Sequence, residues 1–377
     1  MTDKKILFEK VKLGNVTLDN RVGVAPMTRT SATPEGSATA QMVSYYTKFT
    51  RGGFGLIITE GVYPDDKYSQ GYLDQPGIIN NEQVQAWRKV TDSVHKEGSK
   101  IFIQLMHAGA LSQGNRFNKT TLGPSPVQPK GEKLSIYGGE GSFPVPKEAT
   151  KEDIAEVIEG FVKSAVRAKE AGFDGVEIHG ANGYILDQFL TDYTNERMDE
   201  YGGSTENRVR LLVEVSKAVR EAVGNEFTIG IRISQGKVND YQHKWAGKEK
   251  DAEIIFGQLG SAGLDYIHVT EYEAWQPAFS KGEGTVATES AFGDHGASLA
   301  ALAKKYGGLP VLANGHLEDP ARAQEIIEKG EADVVTIGRG ALANGDWVKK
   351  VKNGKPLEEF VPEKVLSPDA KIKDFEA

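Results

Sequence analysis

Lys151 to Ala171 carries apolar residues at helical spacing, and after a short turn comes Gly175-Val176-Glu177-Ile178-His179, an apolar run that ends on a hydrogen-bonding side chain. A helix feeding a short buried strand is the repeating unit of a parallel sheet with crossover helices. The unit recurs in both directions. Strand candidates are Val22 to Met27, Gly55 to Glu60, Lys100 to Met106, Gly175 to His179, Thr228 to Ile233, Tyr266 to Thr270, Pro310 to Ala313 and Asp333 to Ile337. Between them lie helical runs at Glu82 to Glu97, Asn207 to Val223, Asp251 to Ala262, Ser298 to Tyr306 and Pro320 to Lys329. Several end in glycine, a frequent helix stop. In the second of these five, Leu211, Leu212, Val215 and Val219 form the one-sided stripe that a barrel helix packs inward. Eight strands alternating with helices predict an α/β fold, a (β/α)8 TIM barrel.

A length of 377 residues allows one to three domains, but the alternation runs on without a linker or low-complexity tract, so residues 1–377 read as a single barrel domain. Two insertions break the rhythm. Leu111 to Thr150 is rich in glycine and proline, and Gln235 to Lys250 carries Tyr241, His243 and Trp245. Both follow strands, the third and the fifth, and are expected as lids over the C-terminal rim where barrel sites lie.

Composition narrows the chemistry. A formal charge of −8 and a pI near 5.6 argue against nucleic acid as a partner, which needs clustered cations. No segment approaches the apolar length that spans a bilayer, and Met1 to Phe8 lacks an apolar stretch behind its lysines, so a cytoplasmic location and no membrane partner are expected. The oligomeric state stays open, a homo-oligomer included. With no cysteine, the chain has no thiol nucleophile, disulfide, cysteine-ligated zinc or cysteine-held iron–sulfur cluster, and no metal site is expected. Redox chemistry then requires an organic cofactor.

The fourth strand runs into His179-Gly180-Ala181-Asn182-Gly183-Tyr184. His179 and Asn182 can both donate to one oxygen and polarise a carbonyl or nitro group, and Tyr184 can supply a proton as general acid. Position alone leaves the plainer alternative that His179 and Asn182 satisfy local backbone groups. Arg232 lies near the end of the fifth strand, and the last two strands run into Asn314-Gly315 and Gly338-Arg339-Gly340, the corner where many barrels bind phosphate. The alternative there is two tight turns and a surface arginine. Pro26-Met27-Thr28-Arg29, Glu60-Gly61 and Gln104 with His107 end the first three strands, where a planar polar ring can be held by its edge. Tyr68, Tyr241, Trp245, Tyr272 and Trp275 are weaker candidates for the pocket wall.

These residues coincide with a known family. The chain resembles the old yellow enzyme family of FMN-dependent NADH:flavin oxidoreductases and ene-reductases. Leu13-Gly14-Asn15, Ala25-Pro26-Met27-Thr28-Arg29, Gly52 to Glu60, Gln104 to Gly109, Gly175 to Tyr184 and Asn195 to Ser204 carry the resemblance in order. It implies that Pro26, Met27, Thr28, Gly61, Gln104, His179 and Arg232 border the flavin ring system, with Arg232 near its N1 and C2 oxygen edge. Asn314, Gly315, Gly338 and Arg339 would hold the FMN phosphate. His179 and Asn182 would bind the substrate oxygen and Tyr184 would protonate the substrate. Hydride would pass from NAD(P)H through the flavin to an activated C=C bond of a small electrophile. The implied form is the single-domain one, since the lack of cysteine excludes members with an iron–sulfur cluster.

Two departures stand out. Many relatives read His-x-Gly-Arg where this chain has His107-Ala108-Gly109-Ala110, and Ser-Pro where it has Ser234-Gln235. The second puts one wall of the pocket in doubt. Competing readings are an NAD(P)H oxidase or a quinone or nitro-compound reductase at the same flavin, a flavin-binding protein without turnover, and a flavin-free barrel isomerase or lyase acting on a phosphorylated substrate.

Overall fold

The computed structural model describes residues 6–279 and 296–377. Met1 to Lys5, part of the stretch read as lacking a leader, lies outside the described residues. The chain opens with a hairpin of β1 (Val11–Leu13) and β2 (Val16–Leu18), joined by Gly14-Asn15. Gly14 has φ +55°, and a Cβ there would lie 2.8 Å from Asp265 Cγ, so the tight turn needs glycine. Leu13 and Leu18 pack with Leu56, Phe102, Tyr266 and Leu312, which closes the bottom of the barrel. This plug is absent from the sequence reading because each strand is only three residues long.

The barrel follows: β3 (Val22–Val24), β4 (Leu56–Val62), β5 (Lys100–Leu105), β8 (Gly175–Asn182), β9 (Thr228–Lys237), β10 (Tyr266–Thr270), β11 (Val311–Asn314) and β12 (Val334–Ile337). All eight pair in parallel and close the ring, β10-β11-β12-β3-β4-β5-β8-β9. Each expected strand is present; several ends move by one or two residues, and three move further. The sheet leaves β3 before Ala25, and Pro26 has no N–H to give a ladder. β8 runs on to Asn182, and β9 runs on to Lys237, so Gln235 to Lys237 belong to a strand rather than to the expected loop.

Helices α1 (Ala40–Arg51), α2 (Asn81–Lys96), α3 (Lys151–Glu170), α4 (Ile185–Leu190), α5 (Thr205–Arg208), α6 (Arg210–Val223), α7 (Glu249–Gly260), α8 (Leu299–Gly307) and α9 (Pro320–Glu328) lie between the strands. The short α10 (Arg339–Ala343), α11 (Trp347–Lys352) and α12 (Pro362–Leu366) follow β12. α1 has no counterpart in the sequence reading, although its buried Met42, Tyr45, Tyr46 and Phe49 stand at i, i+3, i+4 and i+7. α3 begins with a capping box in which Thr150 and Asp153 satisfy each other's backbone N–H groups.

The insertion from Leu111 to Thr150 folds over the rim and holds the short parallel pair β6 (Leu122–Gly123) and β7 (Lys147–Glu148). The last residues run beside it, with Ala370 N donating to the Ile136 carbonyl at 2.9 Å. Arg29 donates both Nη atoms to Glu376 at 2.6 Å and its Nε to the Ala370 carbonyl at 2.9 Å, all buried. This ties the Thr28 segment to the C-terminal stretch.

Candidate active site

One cavity of about 510 Å³ opens at the C-terminal ends of the strands. Pro26, Met27, Thr28, Gly61, Gln104, His179, Asn182, Tyr184, Arg232, Asn314, Gly315, Gly338 and Arg339 all line it. Strand register explains the convergence. Side chains two apart on a strand share a face, so Glu177 and His179 both enter the barrel. Gln104, Glu177, Gly230 and Tyr266 stand side by side across neighbouring strands, and two residues higher come His179, Arg232 and His268.

Glu177 is the hub of the lower layer. Its Oε1 accepts from Gln104 Nε2 at 2.9 Å, and its Oε2 accepts from Tyr266 at 3.0 Å and His268 Nδ1 at 2.9 Å. His268 Nε2 meets Thr336 Oγ1 at 2.9 Å. Burial opposes charge on Glu177, but His268 and Arg232 hold its carboxyl below the ordinary range, while burial keeps His268 neutral. A carboxylate only accepts, so His268 carries its proton on Nδ1 and accepts the Thr336 hydroxyl at Nε2. Gly230 makes room, since a Cβ there would lie 2.0 Å from the Tyr266 ring.

Arg232 is 5% exposed and donates Nη2 to Asn314 Oδ1 at 2.8 Å. Its Nε has no hydrogen-bond partner among the described residues. A buried guanidinium that lines a cavity favours an anionic or acceptor-rich occupant.

At the top of β8, burial and the neighbouring Arg232 push the His179 imidazole down to about 3, so the ring is neutral at any ordinary pH. Its Nδ1 accepts from Ala181 N at 3.4 Å, which leaves Nε2–H as the free donor. The β8–β9 register shifts between Gly180 and Asn182, and Asn182 takes φ +62°. Asparagine tolerates that conformation better than most residues, and such strain gathers at functional sites. Tyr184 packs edge-on to His179 with ring centroids 5.1 Å apart. Its hydroxyl lies 2.7 Å from that of Tyr72, and burial raises the phenol, which therefore stays protonated.

With this geometry in hand, residues 6–358 match the NADH:flavin oxidoreductase / NADH oxidase family. The chain belongs to that family. This flavin oxidoreductase is 35% identical over 373 residues to 12-oxophytodienoate reductase 7 of Oryza sativa subsp. japonica, covering 96% of this chain and 92% of that one. It is 34% identical over 362 residues to the NADH oxidase of Thermoanaerobacter brockii, covering 95% of this chain but 52% of the relative, so it spans about half of that protein. The solved structure of the old yellow enzyme homologue from Zymomonas mobilis superposes with a TM-score of 0.83 at 31% identity, covering 95% of each chain. The enzyme is an FMN-dependent oxidoreductase that draws on NAD(P)H.

The donor set fits FMN. Arg232 brings a buried cation to the cavity, and Gln104 offers an amide whose orientation Glu177 fixes. Gly61 lets the Met106 side chain pack against bare backbone in the cavity wall, since a Cβ there would lie 2.6 Å from its Sδ. Beyond the ends of β11 and β12, Arg339 Nη2 lies 2.6 Å from His316 Nε2, and Gly315 has φ +136°, where a Cβ would strike the Glu271 carbonyl at 2.1 Å.

Several of the weaker candidates lie elsewhere. Tyr241 and Tyr272 line the cavity. Tyr68 and His107 instead border a separate cavity beside α3, with His107 Nε2 3.4 Å from Asp65. Trp245 packs against Phe256 and Phe279, and Trp275 lies under Arg322, so neither shapes the cavity. The sequence reading did not include Tyr72, Glu177 or His268 as site candidates, and it named Glu60 only together with Gly61 at the end of the second strand. Glu60 accepts from the backbone N–H of Arg29 and Thr30 and from Tyr46, and burial pushes it up to about 7. Glu177 stood within reach by its two-residue spacing from His179. Tyr72 lies on a loop with no periodic signal.

Proposed function

We propose that this chain is a cytoplasmic, single-domain ene-reductase whose acceptors are α,β-unsaturated carbonyl or nitro compounds. The observation that carries this reading is the meeting of a neutral His179 Nε2–H, Asn182 and the protonated Tyr184 in one cavity with Arg232. Bound FMN supplies the two-electron carrier between NAD(P)H and the β-carbon of the alkene. His179 and Asn182 hold the substrate oxygen and draw electron density toward it, which makes the β-carbon electrophilic. Tyr184 delivers a proton to the α-carbon, and Tyr72 at 2.7 Å orients its hydroxyl. Pro26, Met27, Thr28, Gly61, Gln104 and Arg232 border the ring system, with Arg232 favouring its anionic reduced form, and Asn314, Gly315, Gly338 and Arg339 hold the phosphate. The similarity to 12-oxophytodienoate reductase 7 supports an enone as acceptor. The similarity to an NADH oxidase supports a second reading, in which oxygen or a quinone is the acceptor and Tyr184 is idle.

The test is an anaerobic absorbance titration of the purified protein. Flavin bands that bleach with NADH or NADPH and return with cyclohexenone are expected. Bands that bleach but do not return with the enone would refute the ene-reductase reading and leave the oxidase.

A further inference from the structure

Lys237 is buried, with its side chain 2% exposed, and it faces Asp187, which is fully buried. Its Nζ donates to Asp187 Oδ1 at 2.9 Å, to Asp187 Oδ2 at 2.8 Å and to the Gln235 carbonyl at 3.0 Å. All three ammonium donors are therefore used. Asp187 in turn accepts from Gly183 N at 2.7 Å and from Thr191 Oγ1 at 3.3 Å. A buried ion pair adds little net stability, because desolvation of both charges offsets their attraction. Its better-attested use is to fix one register among alternatives.

The register at stake here is that of Asn182. Lys237 stands opposite Asn182 across the β8–β9 ladder, on the far side of the register shift. Asn182 N donates to Ser234 Oγ at 2.8 Å, and Val238 N donates to the Asn182 carbonyl at 3.1 Å. The turn is thus gripped from both sides. Asp187 holds Gly183 just after Asn182, and Lys237 pins the end of β9 to the same carboxylate. Gln235 completes the anchor: its side chain accepts from Trp245 N at 3.1 Å and donates to the Ala278 carbonyl at 3.1 Å. Val238 and Tyr241, both cavity-lining, hang from this anchored strand end.

We propose that Lys237 is a positioning residue for the substrate-oxygen clamp: its ion pair with Asp187 holds Asn182 in its left-handed conformation and sets the Val238 and Tyr241 wall. This rests on the reading of His179 and Asn182 as that clamp. The FMN phosphate corner lies at β11 and β12, so the pair is expected to act on substrate and not on flavin retention.

Removing one charge alone strands the other in the interior, so the informative variant is the neutral pair Lys237→Met with Asp187→Asn, which keeps an acceptor for Gly183 N. The probe is 4-hydroxybenzaldehyde, a small planar phenol whose oxygen would compete for the same donors, titrated into holoenzyme and followed by the flavin absorbance. The neutral pair is expected to bind FMN within about twofold of wild type while its Kd for the phenol rises about tenfold or more, the loss of one hydrogen bond to a charged group. Wild-type affinity for the phenol, with Asn182→Ala weakened, would overturn the inference and leave the clamp standing. Wild-type affinity in Asn182→Ala as well would overturn the clamp and the inference together. Loss of FMN along with the phenol would place the pair in the general scaffold and also overturn it.

Discussion

Replacing Arg232 with methionine tests the electrostatics of the site most directly. The change leaves the buried Glu177 without the cation that balances it, so the Tm is expected to fall, while the surrounding hydrogen bonds persist: Asn314 Oδ1 retains the Thr270 hydroxyl at 2.9 Å, and Glu177 retains Gln104, Tyr266 and His268. What disappears is the guanidinium charge and the unused Nε donor. A hydrogen bond involving an ionised group contributes about 1.5–3 kcal/mol. Because the reduced flavin carries the negative charge, most of that difference falls on reduction, and about 1.4 kcal/mol corresponds to about 30 mV in a two-electron couple. The midpoint potential is therefore expected to fall by up to about 30–65 mV, with the remainder appearing as less than about tenfold weaker FMN binding. Anaerobic equilibration with a reference dye measures the potential, and fluorescence titration of the apoprotein measures the affinity. Arg232→Lys keeps the charge but not the Nε donor, so its potential should lie between those of wild type and Arg232→Met. A methionine variant with wild-type potential and wild-type FMN affinity would refute the assignment of Arg232 to the flavin edge.

Tyr184→Phe should slow enone reduction by about 10²–10⁴-fold, the usual contribution of a general acid, while flavin reduction by NAD(P)H and turnover with nitro compounds or oxygen persist; an unchanged enone rate removes Tyr184 from the acid role. Because the His179 ring is held neutral, with its imidazole pushed down to about 3, the KM for cyclohexenone should stay level from pH 8 to pH 5, and a rise centred near the ordinary histidine value would show that the ring takes up charge. Glu60 is pushed up to about 7 by burial from an ordinary 4.5, so its contribution to stability is full at acid pH and is lost as pH rises through 7, about 3 kcal/mol in all. Glu60→Gln should therefore gain in Tm relative to wild type between pH 5 and pH 8, and parallel Tm curves would contradict the shift. Gly315→Ala drives a methyl into the Glu271 carbonyl and should yield protein with little FMN, read as the flavin-to-protein ratio after purification; full loading would show that the corner can relax.

Much of the site was legible because period and position carry it. His179 and Arg232 lie in the C-terminal halves of their strands and Asn314 and Gly338 at or just beyond strand ends, positions that in a parallel barrel lead to the same mouth. What the sequence did not expose was whatever depends on which strands are neighbours. Glu177 is an unremarkable acid inside an apolar run until Gln104, Tyr266 and His268 come into register beside it. Lys237 reads as a loop cation, yet strand β9 continues through it and buries it against Asp187. Trp245 and Trp275 failed as pocket candidates for the opposite reason: an aromatic on a loop gains more by packing on Phe256 or under Arg322 than by facing an open cavity.

The interior of the barrel explains why stability and chemistry share residues here. At the base the hairpin leucines and the stacked Phe102 and Tyr266 rings, 5.9 Å apart, form an apolar floor. Directly above it lies a carboxylate with both oxygens occupied, and above that a guanidinium with one donor to spare. Within this stack Arg232 is the cation that balances Glu177, since His268 is neutral, and the balance is paid for by burying an incompletely used donor. A ligand that offers an acceptor at that point removes the deficit and binds only the folded chain, which stabilises the fold by mass action. The same contact orients the acceptor against a fixed positive charge. Under the proposed function, one guanidinium would therefore link cofactor retention, redox bias and stability, the coupling on which the outcomes expected for Arg232→Met depend.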